Sequence, residues 1–140
     1  MVLHCNYEEL TALRAGAQAF LEREEPAGGG VLAPPVDRAR VEALLLQLDG
    51  DISLSTLEEL RDVQAAVSTI VEGLRVEMES MVVASHAADE WAVAAYFDFA
   101  HSFTVSHRLR EMASEMEALI ELMTGSVPSS GAARTVRFPD

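Results

Sequence analysis

Neither glycine nor proline occurs between residues 74 and 124. Because these two residues most often mark turns and helix ends, their absence limits the chain to two arrangements. Either one helix of roughly 70 residues forms a rod about 100 Å long, or the chain turns without its usual turn residues. We predict a turn at residues 84–90, because Ser85 can cap a helix and Asp89 and Glu90 suit the first turn of the next one. A rod of that length would leave much of the chain unable to share a core.

The composition favours helices over sheets. Hydrophobic residues make up 49% of the 140 residues and charged residues 24%, which is typical of a globular protein. The apolar residues are mostly Ala, Leu and Val, and both Ala and Leu are strong helix formers. We therefore predict an all-α fold in which two long helices form an antiparallel hairpin and two shorter helices pack on it, in a four-helix, bundle-like arrangement.

The helix boundaries follow from apolar periodicity and from capping residues. Asn6 with Glu9, and Ser55 with Glu58, have the spacing of a capping box. After Ser55, apolar residues recur about every 3.5 positions, as in coiled-coil packing. We predict a single helical domain over residues 1–125, with helices at about 6–24, 36–48, 56–84 and 87–124, a Gly- and Pro-rich linker at 26–35, and a flexible tail at 126–140.

The two shorter predicted helices cannot cover both faces of a hairpin whose arms are about 50 Å long. Five of the eight aromatic residues cluster on the second arm: Trp91, Tyr96, Phe97, Phe99 and Phe103. Spread around one helix, they cannot all face one partner helix of the same chain. We predict that they form the interface of a homodimer or higher homo-oligomer, and that the protein is a non-enzymatic oligomerisation, adaptor or regulatory protein acting through helix–helix association. A different protein, bound through the aromatic helix or the C-terminal tail, is a further possible partner.

Asp98 and His101 lie one helical turn apart within this aromatic stretch. The spacing places a carboxylate and an imidazole on one helix face, as the Glu-x-x-His motifs of di-iron bundles do. Glu72 on the facing arm would be a third ligand, and the neighbouring Gly73 would leave room for a phenylalanine of the opposite helix. The alternative function is therefore a helical-bundle oxidase or iron-handling protein whose site, shared between subunits, holds iron or another divalent metal. A satisfied polar pair is the simpler interpretation, and under it no cofactor is expected.

Other chemistry finds little support. Ser102 and Ser106 flank the Asp98 and His101 pair, but side chains on one helix cannot present a nucleophile to an oxyanion hole, because the helical N–H groups are already bonded. Cys5 precedes the cap of the first helix, where the helix dipole would lower its pKa, but no base stands beside it. No catalytic residue is predicted. A small apolar ligand held between helices is the third hypothesis.

The formal net charge of −13 argues against two classes of partner. Nucleic acids require a basic face, and an anionic membrane surface would repel this chain. All ten basic residues are Arg, which excludes Schiff-base and P-loop lysine chemistry. The single Cys excludes an intrachain disulfide, and no apolar run reaches the ~20 residues of a membrane span, so we expect a cytoplasmic protein.

Overall fold

The computed structural model describes residues 1–23, 35–85 and 90–124. In these residues the chain forms four helices and two short strands: β1 (Val2–Leu3), α1 (Tyr7–Arg23), α2 (Pro35–Leu45), β2 (Ile52–Ser53), α3 (Leu57–Ser85) and α4 (Glu90–Thr124). The predicted all-α, bundle-like fold is confirmed. The predicted tail and, apart from Pro35 at the start of α2, the predicted linker lie outside the described residues.

Helices α3 and α4 form the antiparallel hairpin. The Arg61 guanidinium near the start of α3 lies 3.4 Å from the Glu117 carboxylate near the end of α4. In the described part of the chain these two helices share the most extensive contact. The chain therefore doubles back between Ser85 and Glu90, and a single long rod is excluded. Residues 86–89 of the predicted turn lie outside the described residues.

The start of α1 is set by the predicted capping box. The N–H of Glu9 donates to Oδ1 of Asn6 at 2.8 Å, and the N–H of Asn6 donates to Oε1 of Glu9 at 3.0 Å. Each bond satisfies a donor that the first helical turn leaves without a partner. This part of the prediction is confirmed.

The cap of α3 lies one residue later than predicted. The N–H of Glu59 donates to Oγ1 of Thr56 at 3.0 Å, and the N–H of Ser55 donates to Oε2 of Glu59 at 2.7 Å. Ser55 is therefore not the cap. The observed register buries Leu57 and Leu60, which are 8% and 0% exposed, so apolar packing decides between two adjacent hydroxyl residues that are both competent caps.

Helix α2 ends at Leu45, three residues before the predicted boundary, and residues 46–49 form a turn. Within it the N–H of Gln47 donates to the carbonyl of Leu44 at 2.8 Å. The turn still buries the Leu48 side chain, which is 1% exposed, and the Arg14 guanidinium donates to the Leu48 carbonyl. Tightening the last turn in this way is a common way to satisfy the carbonyls at a helix end.

A two-stranded sheet, which the sequence analysis did not predict, joins the start of the chain to the segment before α3. Strands β1 and β2 are antiparallel, with Val2 opposite Ser53 and Leu3 opposite Ile52. The terminal ammonium of Met1 donates to the Leu54 carbonyl at 3.0 Å. The inward side chains Leu3, Ile52 and Leu54 are at most 2% exposed, so the sheet closes one end of the core.

The apolar core lies at one end of the hairpin. Its buried side chains extend along α3 from Leu57 to Leu74 and along α4 from Val105 to Met116. Helix α1 approaches α3 closely at Gly16, where a Cβ atom would lie 2.5 Å from Cγ2 of Ile70. We call the rest of the hairpin, residues 75–85 of α3 and 90–104 of α4, the distal half.

Across residues 1–23, 35–85 and 90–124, no helix is both long enough and apolar enough to cross a membrane.

A candidate interaction surface on helix α4

Helix α4 carries an inner seam that faces the rest of the chain. Its positions follow the alternating three- and four-residue spacing of a heptad pattern. Most members are small, which lets the α3 and α4 backbones approach closely. The inner seam consists of Ala92, Ala95, Phe99, Ser102, Ser106, Leu109, Ala113 and Met116; Phe99 is half-buried and the others are buried.

One residue further along, the same spacing produces a second seam on a flank of α4 that lies about 100° around the helix from the inner seam. We call Val93, Tyr96, Ala100, Phe103 and His107 the outer seam. Val93, Tyr96 and Phe103 are 41%, 55% and 44% exposed, Ala100 is half-buried, and His107 is exposed. An apolar seam that repeats every 3.5 residues is the pattern with which one helix packs along another.

The aromatic rings beside the outer seam are already in contact with each other. Phe97, which is 55% exposed, meets Tyr96 edge to face with ring centroids 6.0 Å apart. It also stacks on His101 at 6.3 Å. Phe99 and Phe103 lie 5.9 Å apart. These contacts restrict the rotamer freedom of the rings within the chain itself.

The surface is also nearly free of charge. Residues 91–107 contain one acidic residue, Asp98, and no Lys or Arg, in a chain whose charged fraction is 24%. Asp98 is half-buried and lies outside the outer seam. Burial, and then the carboxylate of Glu77, raise the pKa of Asp98, while His101 acts in the opposite direction.

The five aromatic residues predicted as an interface therefore occupy two different environments. Tyr96, Phe97 and Phe103 share the outward side of α4, and Trp91 at its start is 73% exposed. Phe99 is partly buried and packs against the core. We accordingly build the candidate surface from the outer seam and Phe97, without Phe99.

The residues predicted as metal ligands make other contacts. Glu72 is exposed and pairs with Arg75, whose Nε lies 3.0 Å from Oε2 of Glu72. The α3 carboxylate that raises the pKa of Asp98 is that of Glu77, which lies five positions beyond Glu72 in the chain. In the part of the chain that the structure describes, no three His, Cys, Asp or Glu side chains are grouped so as to hold a metal ion.

The expected role of Gly73 is wrong. A Cβ atom at this position would lie 2.8 Å from a terminal guanidinium nitrogen of Arg23 on α1, so Gly73 makes room for an arginine of the first helix. The prediction placed a phenylalanine of the opposite arm there because it treated the hairpin alone. Helix α1 packs against both arms.

A buried polar cluster between α1 and α4 was missed by the sequence analysis. Glu9 is 2% exposed, and its Oε2 accepts hydrogen bonds from the Thr104 hydroxyl at 2.6 Å and from the Arg108 guanidinium. Burial alone would raise the pKa of Glu9, but the bonds from Thr104 and from the Asn6 N–H, together with Arg108, lower it below its ordinary value. The capping-box spacing identified one partner of Glu9, whereas the α4 partners depend on the tertiary fold.

Cys5 lies at the edge of this cluster, and the lowered pKa expected for its thiol is wrong. Burial, and then the carboxylate of Glu9, raise the pKa of the Cys5 thiol to about 11, although Arg108 acts in the opposite direction. The backbone N–H of Cys5 donates to Oδ1 of Asp51 at 3.4 Å. The thiolate is therefore disfavoured at neutral pH, and desolvation outweighs the helix dipole.

Two surface grooves bear on the hypothesis of a small apolar ligand. The larger, of about 520 Å³, lies between α2 and α3, and its lining includes charged side chains, Arg40, Glu59 and Asp62, beside apolar ones. The second, of about 490 Å³, lies between α1 and α3 over Phe20 and Gly73. Neither groove is lined by an aromatic residue of α4.

Comparison of the chain with known protein families, characterised proteins and solved structures finds no match.

Proposed function

We propose that this protein is a non-enzymatic oligomerisation or adaptor protein, and that a second copy of the chain covers the outer seam of α4. The observation that carries the proposal is the periodic seam from Val93 to His107, apolar except for His107 at its end, in which Val93, Tyr96 and Phe103 are more than 40% exposed. Over these residues the seam is about 21 Å long. Solvated side chains of this size in one stripe are typical of an interaction site rather than of an ordinary surface.

The charge distribution supports a second copy as the occupant. Two chains that each carry −13 repel each other over most of their surfaces. The outward side of α4 between residues 91 and 107 is where that repulsion is weakest, because Asp98 is the only formal charge there. A basic partner would instead be attracted to the acidic surface elsewhere. An uncharged, self-complementary stripe suits the isologous contact of a two-fold dimer.

Helix α4 can contribute this surface because its inner seam is already used. The inner seam holds α4 on α3, and Glu9 of α1 holds it at Thr104 and Arg108. The outer seam is thereby presented on a supported helix, which costs less conformational entropy on binding than an isolated helix would.

Light scattering coupled to size-exclusion chromatography tests the proposal. The wild-type chain of 15.2 kDa is expected to run at twice its monomer mass or more. Phe103→Glu is expected to give a monomer with unchanged helical circular dichroism, because it places a charge in the middle of the outer seam.

The matched control is Leu122→Glu, which introduces the same charge on α4 at a site that is 82% exposed and lies outside the seam. It is expected to leave the mass unchanged. A wild-type chain that stays monomeric at all accessible concentrations would refute the proposal, as would equal effects of the two substitutions.

A further inference from the structure

We infer that the outer seams of two copies pack antiparallel, with their midpoints near Ala100, so that each distal half lies beside the partner's α4 and the two cores point away from each other. This inference rests on the proposed self-association and specifies its geometry. It follows from where charge begins along α4 and from the position of the smallest residue in the seam.

The distribution of acidic residues disfavours a parallel arrangement. Beyond the outer seam, α4 carries Glu111, Glu115, Glu117 and Glu121 and no Lys or Arg after Arg110. All four glutamates are exposed, and two of them have partners within the chain, Glu111 with His107 and Glu117 with Arg61. In a parallel dimer the two α4 axes would run about 8–10 Å apart, so these acidic ends would lie side by side. That spacing is close to the Debye length of about 8 Å at physiological salt, so the repulsion would be only partly screened.

An antiparallel arrangement removes this repulsion. With the midpoint at Ala100, Glu115 and its copy lie on opposite sides of the midpoint and are separated by about 45 Å along the helix axis. At several Debye lengths their interaction is negligible. The acidic C-terminal end of each α4 then extends past the N-terminal end of the other α4, and Glu111 alone of the four glutamates comes level with that end, where Glu90 lies. The separation thus removes most of the contact between like charges at this end of α4.

The side chains of the seam fit a crossing at its centre. Ala100 is the smallest outer-seam residue, and it lies between Tyr96 and Phe103, one turn away on either side. A small residue flanked by larger ones lets two helices approach closely, with the large side chains of each filling the space beside the other's Ala100. The order of large and small side chains along the seam is nearly the same in both directions from Ala100. Two antiparallel copies can therefore place an aromatic ring of each chain beside Ala100 of the other.

Cysteine cross-linking at the two ends of the outer seam tests the direction. The background is Cys5→Ser, which removes the only natural thiol. One tagged chain carries Val93→Cys, a second chain with a different tag carries His107→Cys, and the two are co-expressed. A short bis-maleimide is expected to link Val93→Cys of one chain to His107→Cys of the other. Either variant alone is expected to link at least tenfold less, because identical thiols would be about 21 Å apart along the axis.

The outcomes separate this inference from the proposed function. If Val93→Cys alone cross-links as well as the mixed pair, the dimer is parallel and the antiparallel inference is wrong, while self-association stands. If light scattering shows a dimer but neither the pair nor the single variants cross-link, the outer seam is not the contact, and both the inference and the proposed function are overturned. If the Cys5→Ser chain is monomeric while the wild type is dimeric, Cys5→Ala is used as the background instead, because Cys5 is half-buried and alanine adds no polar group there.

Discussion

Glu9 and Arg108, 99 positions apart in the sequence, form a hydrogen-bonded ion pair that ties α1 to α4. The carboxylate is almost completely buried, whereas the guanidinium side chain retains 37% of its exposure. Arg108 directly follows His107 in the chain, and Thr104, which also donates to Glu9, directly follows Phe103. These bonds to Glu9 therefore also support the helix that presents the outer seam. They are the contacts through which the N-terminal helix steadies the candidate interaction surface.

Replacing Glu9 by Gln is expected to lower the free energy of unfolding by about 2 kcal/mol at pH 7. Breaking a fully buried ion pair costs more, but the Arg108 side chain is 37% exposed, so water can solvate its guanidinium after the substitution. The effect depends on pH, because the folded-state pKa of Glu9 lies below its ordinary value of 4.5. The stabilisation is therefore complete above that value and is lost as the pH falls through the lower folded-state pKa. Urea unfolding at several pH values measures it.

The control for this prediction is Glu8→Gln, which neutralises the exposed neighbour in the same helical turn. It is expected to change stability by less than about 0.5 kcal/mol. A deficit in Glu9→Gln that persists unchanged at low pH would mean that the carboxylate charge contributes nothing.

Gly16 and Gly73, the two glycines within the helices that the structure describes, are expected to respond oppositely to replacement by alanine. At Gly73 the new Cβ would meet only the flexible end of Arg23, so the gain in helix propensity prevails and Gly73→Ala stabilises by about 0.5 kcal/mol. At Gly16 the Cβ would meet Ile70 at 2.5 Å and Leu74 at 3.0 Å within the core, so Gly16→Ala destabilises by about 1–2 kcal/mol. Thermal unfolding of both variants measures the difference, and effects of the same sign would contradict the assigned packing.

Cys5 is expected to be a slow nucleophile. With its pKa at about 11, the thiolate fraction at pH 8 is about 100-fold below that of a thiol with an ordinary pKa. Alkylation by iodoacetamide should be correspondingly slow in the native protein and should become fast in urea. A native rate equal to that of the unfolded chain would show that neither burial nor Glu9 acts on the thiol.

Asp98→Asn is expected to stabilise the hairpin at pH 7. Folding raises the pKa of Asp98 above its ordinary value of 3.8, chiefly through burial and the carboxylate of Glu77. An acid with a raised pKa is destabilising while ionised, so the wild type carries this cost above the folded-state pKa and is free of it below 3.8. The melting temperature of the variant should exceed that of the wild type at pH 7, and the two should converge in acid. A gain of the same size at both pH values would point to a cause other than charge.

Much of the fold could be predicted because local chemistry determines it. The interval between residues 74 and 124 without Gly or Pro, together with heptad-like spacing, is sufficient to identify two long arms. Asn6 and Glu9 identify the start of α1, since a capping box needs only residues three apart. Even at α3 the error was a single position, between Ser55 and Thr56, because two hydroxyl residues compete and the burial of Leu57 selects one.

Contacts between distant segments could not be predicted, since they depend on which faces meet. The sequence by itself determined that α4 is apolar around most of its circumference, and it identified the aromatic residues that make it so. Only the tertiary structure decided that Phe99 faces inward while Tyr96 and Phe103 face solvent, because that depends on how α4 is rotated against α3. In the same way, α1 brings Arg23 over Gly73 and Glu9 to Arg108, two contacts that no local spacing indicates.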